Sequence, residues 1–394
     1  MEKLEADSRK GQGSDRHVGF VVFSDDWGRH PSSCEHIFRH LVSEYRVIWV
    51  NTIGFRAPRL TVADLKRSFE IIRSWIFRTN ADDHGLQADN LEIVTPIVIP
   101  LPGVAACDAF NSWSMSRPVN KALTKYPEMK MYLVSSLPNV GGVFQRFPEL
   151  LKLYYCVDDF VQWPGAKPSV VNRMEQDLIS HCNGAVITSK NLGVKYHQSK
   201  IKPTLLNHGV DYRHFSVGQS SISQSASGAA VIGFFGEIRE WFAVDLILEA
   251  AKVHPEWTIV LIGRVQTDVS ELEKQPNIKL HGYVAYAELP KIASTFSVGI
   301  IPYQVSALTR TISPLKCLEY LALGLPVVAT SLPSLEAYGD FVVRADEPRA
   351  FTAAIENALA TNSHAKFEER KDYARQNDWS NVASMFLSKV LRSE

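Results

Sequence analysis

Short apolar runs alternate with amphipathic segments along most of the chain. The runs are six to eight residues long and carry few charges, which is typical of strands buried on both faces of a parallel sheet. In the first half they lie at 17–24, 45–51, 131–136, 152–159, 184–189 and 203–209. In the second half they lie at 229–236, 257–263, 277–282, 297–303 and 325–331. Because segments with helical spacing separate the runs, the pattern predicts two α/β domains, each with a mostly parallel sheet.

A stretch rich in Ser and Gly marks the predicted domain boundary. Residues 216–228 contain no charged side chain and few large ones, which is the composition of a flexible linker. Residues 1–16 are polar, and we expect them to form a disordered tail. We therefore assign an N-terminal domain to 17–215 and a C-terminal domain to 229–375. The last segment, 376–394, is predicted to contain an amphipathic helix.

Composition and charge narrow the classes of function. The chain has 394 residues, and its 42 Lys+Arg balance its 42 Asp+Glu. A nucleic-acid partner is not expected, because binding along the whole chain would need a basic field. The five cysteines form no CxxC motif, and their odd number predicts reduced thiols. No secretory leader and no apolar run of about 18 residues is found, so we expect a cytoplasmic protein.

Segment 309–333 carries the most informative pattern. Ser313 is predicted to be the N-cap of a leucine-rich helix, with Pro314 in its first turn. The N–H groups of a helix N-terminus bind phosphates, and Lys316 would add a positive charge there. Glu319, one turn later, is placed to accept hydrogen bonds from two sugar hydroxyls. The alternative is an ordinary surface Lys–Glu pair, whose spacing is common.

Together with other segments of the chain, this motif resembles the nucleotide-sugar signature of GT-B glycosyltransferases. The resemblance is to the family-4-like enzymes that build bacterial exopolysaccharides and cell-wall polymers. The segments that carry it are 26–33, 154–160, 207–211, 231–242, 257–265, 276–290 and 313–328. It implies an α/β GT-B fold, with two Rossmann-like domains facing each other across a cleft and a last helix that crosses back to the first domain. It also implies an enzyme that moves a sugar from a nucleotide-diphosphate donor, which we expect to be a UDP-sugar, to a saccharide or lipid-linked acceptor in polysaccharide synthesis.

The resemblance implies a donor site in the C-terminal domain. Glu319 would hold the ribose hydroxyls, and Lys316 and Arg239 would face the diphosphate. Arg264 would pack on the base, although a solvated loop arginine is an equal alternative. The predicted donor-site residues are Gly236, Arg239, Arg264, Thr311, Ser313, Pro314, Leu315, Lys316 and Glu319. We expect no metal or other cofactor, because enzymes of this kind neutralise the leaving diphosphate with helix dipoles and basic side chains.

One position departs from the family pattern. Retaining members carry two glutamates eight positions apart, and the residue eight before Glu319 is Thr311. The stereochemical outcome therefore stays open, and Thr309 or Thr311 could bind the donor sugar instead. Two alternatives also stay open. They are a nucleotide-sugar 2-epimerase on the same fold and a binding subunit that has lost its chemistry.

Two acids and a histidine are candidates for activating the acceptor. Asp158 and Asp159 follow a buried strand, at the sheet edge where the cleft is expected. An inverting transfer needs a carboxylate that accepts the proton of the acceptor hydroxyl. Asp159 is the predicted base, because related inverting enzymes place an acid nearby, and Asp158 is the alternative. His30, in the loop that also contains Trp27, is a weaker candidate.

Segment 58–78 combines apolar residues at helical spacing with five basic residues on the other faces. Such a helix can lie on an anionic membrane, although packing on its own domain is the more common reason for the pattern. The membrane hypothesis predicts a peripheral contact with the cytoplasmic face of the inner membrane. The acceptor would then be a lipid-linked saccharide.

Overall fold

A computed structural model describes residues 17–28, 32–52, 89–216 and 229–391 of the chain. These residues divide into two units. The first contains the described residues up to Thr188, Leu192–Leu206 and those from Ala383 onward. The second contains Ser189–Asn191 and the described residues from Asn207 to Val382. The predicted tail (1–16), segment 58–78 and all but the first residue of the predicted linker lie outside the described residues.

The first unit is built on a seven-stranded sheet in which every pairing is parallel. Its order is β3-β2-β1-β4-β5-β6-β7. The strands are β1 (Val18–Ser24), β2 (Arg46–Asn51), β3 (Leu91–Val94), β4 (Lys130–Ser135), β5 (Leu151–Cys156), β6 (Gly184–Ile187) and β7 (Thr204–Leu205). The helices before residue 188 are α1 (Ser33–Leu41), α2 (Ala105–Lys125), α3 (Gly141–Arg146) and α4 (Pro168–His181). The near-continuous burial of the central strands matches a sheet covered by helices on both faces.

The second unit repeats the architecture with six parallel strands in the order β10-β9-β8-β11-β12-β13. They are β8 (Val231–Phe235), β9 (Thr258–Ile262), β10 (Ile278–Gly282), β11 (Val298–Ile301), β12 (Val327–Ala329) and β13 (Val342–Arg344). The α-helices described from residue 207 onward are α5 (Tyr212–Phe215), α6 (Val244–Val253), α7 (Ser270–Glu273), α8 (Leu289–Ala293), α9 (Leu315–Ala322), α10 (Pro348–Ala360), α11 (His364–Gln376) and α12 (Trp379–Leu391). Only the first residues of α12, up to Val382, belong to the second unit. The α/β prediction is therefore confirmed. The strand order reverses between β1 and β4 and between β8 and β11, and open sheets bind ligands beyond the carboxyl ends of the strands at such points.

The domain boundary differs from the predicted one. Residues 207–215, which the sequence assigned to the N-terminal domain, group with the second unit. The reason is a pair of backbone hydrogen bonds. The N–H of Val210 donates to the carbonyl of Asn377 (3.0 Å), and the N–H of Trp379 donates to the carbonyl of Val210 (3.1 Å). From Ala383 onward, α12 belongs to the first unit, where the Phe386 ring lies 5.8 Å from those of Phe38 and Tyr155.

His208, in segment 207–211, is expected from the sequence to be a polar residue that faces the cleft. It is buried, with its ring 6.3 Å from the Trp379 ring in an edge-to-face arrangement. Burial lowers the pKa of the imidazole to about 4, so His208 is neutral near pH 7. Its role is therefore structural.

Candidate functional site

The helix that carries the informative motif is fixed to the second sheet by Tyr320. Its hydroxyl accepts a hydrogen bond from the Phe235 N–H (3.2 Å) and donates one to the Ile300 carbonyl (3.3 Å). Its ring covers Gly299, where a Cβ would lie only 2.5 Å from the ring. Tyr320 therefore joins the ends of β8 and β11, the two strands where the order reverses. The N-terminal end of α9 is held beside that point.

The helix begins one residue later than predicted. Pro314, not Ser313, is the N-cap, and α9 starts at Leu315. The backbone of Pro314 is extended at ψ 115°, and its carbonyl accepts a hydrogen bond from the Cys317 N–H (3.2 Å). No side chain caps the first turn, and Ser313 is buried just before it. The start of the helix therefore presents backbone N–H groups without a side-chain cap.

Lys316 lies directly over the turn that follows β8. Its Nζ donates to the Tyr303 hydroxyl and lies 4.7 Å from the Tyr303 ring centre and 5.2 Å from the Phe234 ring centre. A Cβ on Gly236 would lie 3.0 Å from this Nζ. Two aromatic faces and a hydroxyl thus hold the ammonium group at the carboxyl end of β8. The structure thus brings together Lys316 and Gly236, two of the predicted donor-site residues.

Glycine is required at the two turns where β8 and β9 end. Gly236 has a φ of +137° and Gly263 a φ of +145°, a region that other residues rarely adopt. The turns also touch, since a Cβ on Gly263 would lie 1.8 Å from the Gly236 carbonyl oxygen. The two turns therefore pack against each other so closely that Gly263 has no room for a side chain.

Arg239 lies in the loop after β8 but is occupied by partners of its own. Its Nε lies 3.1 Å from a carboxylate oxygen of Glu237, its Nη2 donates to the Gln266 side chain, and its guanidinium covers the Trp241 ring at 5.4 Å. These contacts engage only part of the guanidinium, which has five N–H donors. The phosphate role of Arg239 stays a prediction.

Arg264 follows Gly263 at the end of β9. Its guanidinium stacks on the Tyr283 ring at 4.8 Å, and both side chains are exposed. A flat, exposed stack of this kind has the shape to take a planar base on its free face. Tyr283 was not among the predicted site residues.

Glu319 lies one helical turn after Lys316 and is partly exposed. Burial raises the pKa of its carboxyl group to about 7, and the charge of Asp211 raises it further against the opposing effect of Lys316. Glu319 therefore changes charge near neutral pH.

The two threonines before the helix differ in whether their hydroxyl groups could contact a donor sugar. Thr309 is fully buried and serves a turn, because its hydroxyl donates to the Gln304 carbonyl (2.5 Å) and accepts from the Ser306 N–H (2.8 Å). Thr311 is half-buried, and its hydroxyl donates to the Leu308 carbonyl (2.7 Å). Its oxygen keeps acceptor capacity. The structure thus leaves Thr311, but not Thr309, as a donor-sugar candidate.

In the first unit, Asp159 is tied into an ion-pair network. Lys195 Nζ lies 2.9 Å from Asp159 Oδ1 and within 2.8–2.9 Å of both carboxylate oxygens of Glu175. Glu175 is buried and also accepts a hydrogen bond from the Tyr154 hydroxyl (2.7 Å). The contact with Lys195 occupies Oδ1 and leaves less of the Asp159 carboxylate free for an acceptor hydroxyl. The network therefore argues against Asp159 as the base.

Asp158 has the environment that a general base needs. Burial is the main cause that raises the pKa of its carboxyl group to about 7, from an ordinary value of 3.8. The charges of Asp159 and Asp25 raise it as well, and Lys195 lowers it. A carboxyl group with a pKa of about 7 is about half ionised at pH 7, and its carboxylate is a stronger base than an ordinary one.

The loop after β1 contains the remaining candidates. The Trp27 ring packs edge-to-face on Trp49 with 4.8 Å between centres, and the Arg39 guanidinium lies 5.5 Å from it. One part of Trp27 is thus used in packing, and the side chain is partly exposed. His30 and its neighbour Arg29 lie outside the described residues.

Sequence reasoning missed the partners that hold the candidate groups. Tyr303 and Tyr320 position Lys316 and α9, and Lys195 with Glu175 holds Asp159. Tyr303 ends a predicted strand and Tyr320 is the residue after Glu319. These positions are the features of the sequence that could have indicated a role for them. The pairing of Lys195 with Asp159 had no signal, because 36 positions separate them.

The C-terminal region of the chain matches a family of known proteins. The family model for "Glycosyl transferases group 1" matches residues 229–361. We call this matched region, residues 229–361, the group 1 domain. The domain contains every one of the predicted donor-site residues, from Gly236 to Glu319.

A curated relative matches about half of the chain. The putative teichuronic acid biosynthesis glycosyltransferase TuaH of Bacillus subtilis is 33% identical over 227 residues. That alignment covers 53% of this chain and 57% of TuaH, so the chain matches little more than half the length of this relative.

Solved structures extend over nearly the whole chain. HepE of Anabaena, in complex with UDP and glucose, has a TM-score of 0.62 at 15% identity and covers 95% of this chain and 100% of its own. A sucrose-phosphate synthase from Thermosynechococcus elongatus has a TM-score of 0.68 at 12% identity, covering 95% and 98%. The chain has the GT-B fold, and the predicted resemblance to GT-B glycosyltransferases is confirmed.

Neither a metal site nor a membrane-spanning helix is found among the described residues. No three His, Cys, Asp or Glu side chains within the described part are grouped so that they could hold a metal ion. The expectation that no cofactor is needed stays a prediction. None of the helices described is long and apolar enough to cross a membrane.

Proposed function

We propose that the chain is a glycosyltransferase of polysaccharide synthesis that uses a UDP-sugar as donor. The acceptor would be a saccharide, free or lipid-linked. The observation that carries this proposal is Lys316, held over the Gly236 turn inside the group 1 domain. The structural neighbour HepE, which was solved with UDP and glucose, supports UDP as the nucleotide.

The donor site would work by charge and close approach. Lys316 and the uncapped N–H groups of α9 would neutralise the diphosphate, which gains charge as the sugar leaves. Glu319 would accept hydrogen bonds from the two ribose hydroxyls. The Arg264–Tyr283 stack would contact the base. Thr311 would reach the donor sugar with its hydroxyl oxygen.

Asp158 would act on the acceptor. As the acceptor oxygen attacks the anomeric carbon, the bond from that carbon to the diphosphate oxygen breaks and UDP leaves. The acceptor hydroxyl loses its proton in this step, and the Asp158 carboxylate would take it. We thus prefer Asp158 to Asp159, since Lys195 holds the latter. A displacement of this type inverts the anomeric configuration, which NMR of the product would show.

Nucleotide binding tests the donor site. We expect UDP to raise the melting temperature of the full chain, because a ligand that binds the folded state stabilises it. Glu319→Ala should weaken UDP binding by about 10- to 100-fold, since hydrogen bonds to charged groups contribute about 1.5–3 kcal/mol. In the wild type, UDP affinity should fall as the pH drops below about 7, where Glu319 becomes protonated. Thermal shift and titration calorimetry measure both effects.

Glu336→Ala is the matched control, because Glu336 is an exposed glutamate of the same unit. It should bind UDP like the wild type. Equal UDP affinity in the Glu319 and Glu336 variants would remove Glu319 from the site. Conversion of a UDP-sugar without an acceptor would indicate an epimerase, and binding without transfer to any acceptor would indicate a binding subunit.

We further propose that the first unit contacts a membrane surface, through a face that the sequence did not single out. Residues 93–116 contain a single charged side chain, Asp108. Within this stretch Ile97, Leu101, Val104 and Trp113 are each 47–59% exposed. The Arg117 guanidinium lies 5.4 Å from the Trp113 ring centre, so a cation borders the face. Exposed apolar and aromatic side chains next to a cation suit an anionic lipid interface.

Flotation with vesicles of phosphatidylethanolamine and phosphatidylglycerol tests this contact. The wild type should float with the vesicles, and the double variant Leu101→Ser, Trp113→Ser should remain at the bottom, because it loses the apolar area that enters the interface. Val253→Ser is the control, since Val253 is equally exposed but lies in the second unit. Failure of the wild type to float, or equal flotation of all three proteins, would end the membrane proposal.

A further inference from the structure

A cavity of about 470 Å³ opens beside the Asp159 ion-pair network in the first unit. We call it the β5 pocket. Its polar lining comes from the end of β5, from α4 and from the segment after β6. The lining side chains are Asp159, Asn172, Gln176, Lys195, His197 and Gln198. Its volume lies in the usual range for small-molecule sites, about 300–1,000 Å³.

The charge of the β5 pocket disfavours an anionic ligand. Lys195 is shared between the carboxylates of Asp159 and Glu175, all within 2.8–2.9 Å, so its positive charge is already balanced. The three groups together carry one net negative charge when ionised. Phosphates, nucleotides and uronic acids would therefore meet repulsion rather than a counter-ion.

The hydrogen-bonding groups suit a ligand with many hydroxyls. Side-chain amides offer both donors and acceptors, and an imidazole offers one of each when neutral. Asp159 also lines the cavity, with its Oδ1 held 2.9 Å from Lys195 Nζ. Val161 and the exposed Val194 also line the cavity and provide apolar contact for C–H groups. A sugar ring presents this combination of hydroxyl edge and C–H face.

We propose that the β5 pocket binds an uncharged saccharide unit of the acceptor. This inference rests on the proposed function, since it gives the acceptor chain a second point of attachment. The pocket would then select acceptors by the neutral sugar that they carry.

Binding of cellobiose, glucose and glucuronate to the full chain tests the proposal by saturation-transfer NMR. We expect cellobiose and glucose to give signals and glucuronate a signal at least about threefold weaker, because of the net negative charge. The double variant Asn172→Ala, Gln176→Ala should lose most of the cellobiose signal. Gln145→Ala should keep it, because Gln145 is an exposed glutamine outside the pocket.

The outcomes separate this inference from the proposed function. The pocket proposal would be overturned, even if UDP still binds, by any of three results. The wild type could give no cellobiose signal, or the Asn172/Gln176 double variant could give the same signal as Gln145→Ala. The third result is glucuronate binding as strong as that of glucose. Loss of UDP binding by the wild type would instead overturn the donor site. Melting temperatures within about 2 °C of the wild type would show that the variants are folded.

Discussion

Asp158→Asn is expected to lower the rate of sugar transfer by about 10²- to 10⁴-fold while UDP binding stays near the wild-type level. The range is the usual contribution of a general base, which asparagine cannot replace because it does not accept a proton. In the wild type, kcat/KM should rise with pH through about 7, since the carboxylate form is the active one. The variant should lose this rise. Initial rates with UDP-sugar and acceptor between pH 5.5 and 8.5 measure both effects.

Stability gives an independent check on the same residue. The pKa of Asp158 in the folded state lies above its ordinary value, so the folded state favours the protonated form. The contribution of Asp158 to the free energy of unfolding is therefore fully present below about pH 4 and is lost as the pH rises through about 7. Asn carries no charge, so Asp158→Asn should melt at a higher temperature than the wild type at pH 8. Asp159→Asn is the control, and a larger loss of turnover there than in Asp158→Asn would restore Asp159 as the base.

Lys316→Met is expected to reduce transfer by about 10²- to 10³-fold and also to weaken UDP binding. Methionine keeps an unbranched side chain between the Tyr303 and Phe234 rings but removes the cation that would stabilise the leaving diphosphate. Removal of one preorganised group of this kind typically has an effect of that size. Steady-state kinetics with saturating acceptor, together with UDP calorimetry, would separate the two losses.

Lys291→Met provides the comparison, because Lys291 is an exposed lysine of the same unit. It should leave both kinetics and UDP affinity unchanged. If Lys316→Met transferred sugar at the wild-type rate, the position of the ammonium over the Gly236 turn would have no role in the reaction, and the donor site would have to lie elsewhere.

The general architecture followed from the sequence because it depends on local patterns. Uninterrupted apolar runs such as Val231–Phe235 have no alternative to a buried strand when turns and amphipathic helices flank them. The elements that were missed lack such a pattern. β3 is a short edge strand with little burial, and α11 has an almost entirely polar sequence whose few apolar residues show no clear stripe.

The candidate donor site was predictable to the extent that one segment contains it. Lys316 and Glu319 lie on a single helix, and the glycine turn at Gly236 has its own local signal. The acceptor side depended on contacts between distant positions. Nothing near Asp159 indicates that Lys195 will hold it, and the preference for Asp158 follows only from burial that the fold creates.

In the group 1 domain, the residue that anchors α9 is different from the residues proposed to contact the base. Tyr320 provides the anchor through its hydroxyl. It forms hydrogen bonds with the backbone of β8 and of β11, and these bonds fix the position of α9. The exposed side chains of Arg264 and Tyr283 contact each other just beyond the ends of β9 and β10. Libraries randomised at these two positions should therefore alter which nucleobase is accepted without loss of folding, which makes this pair a practical starting point for redesigning donor preference.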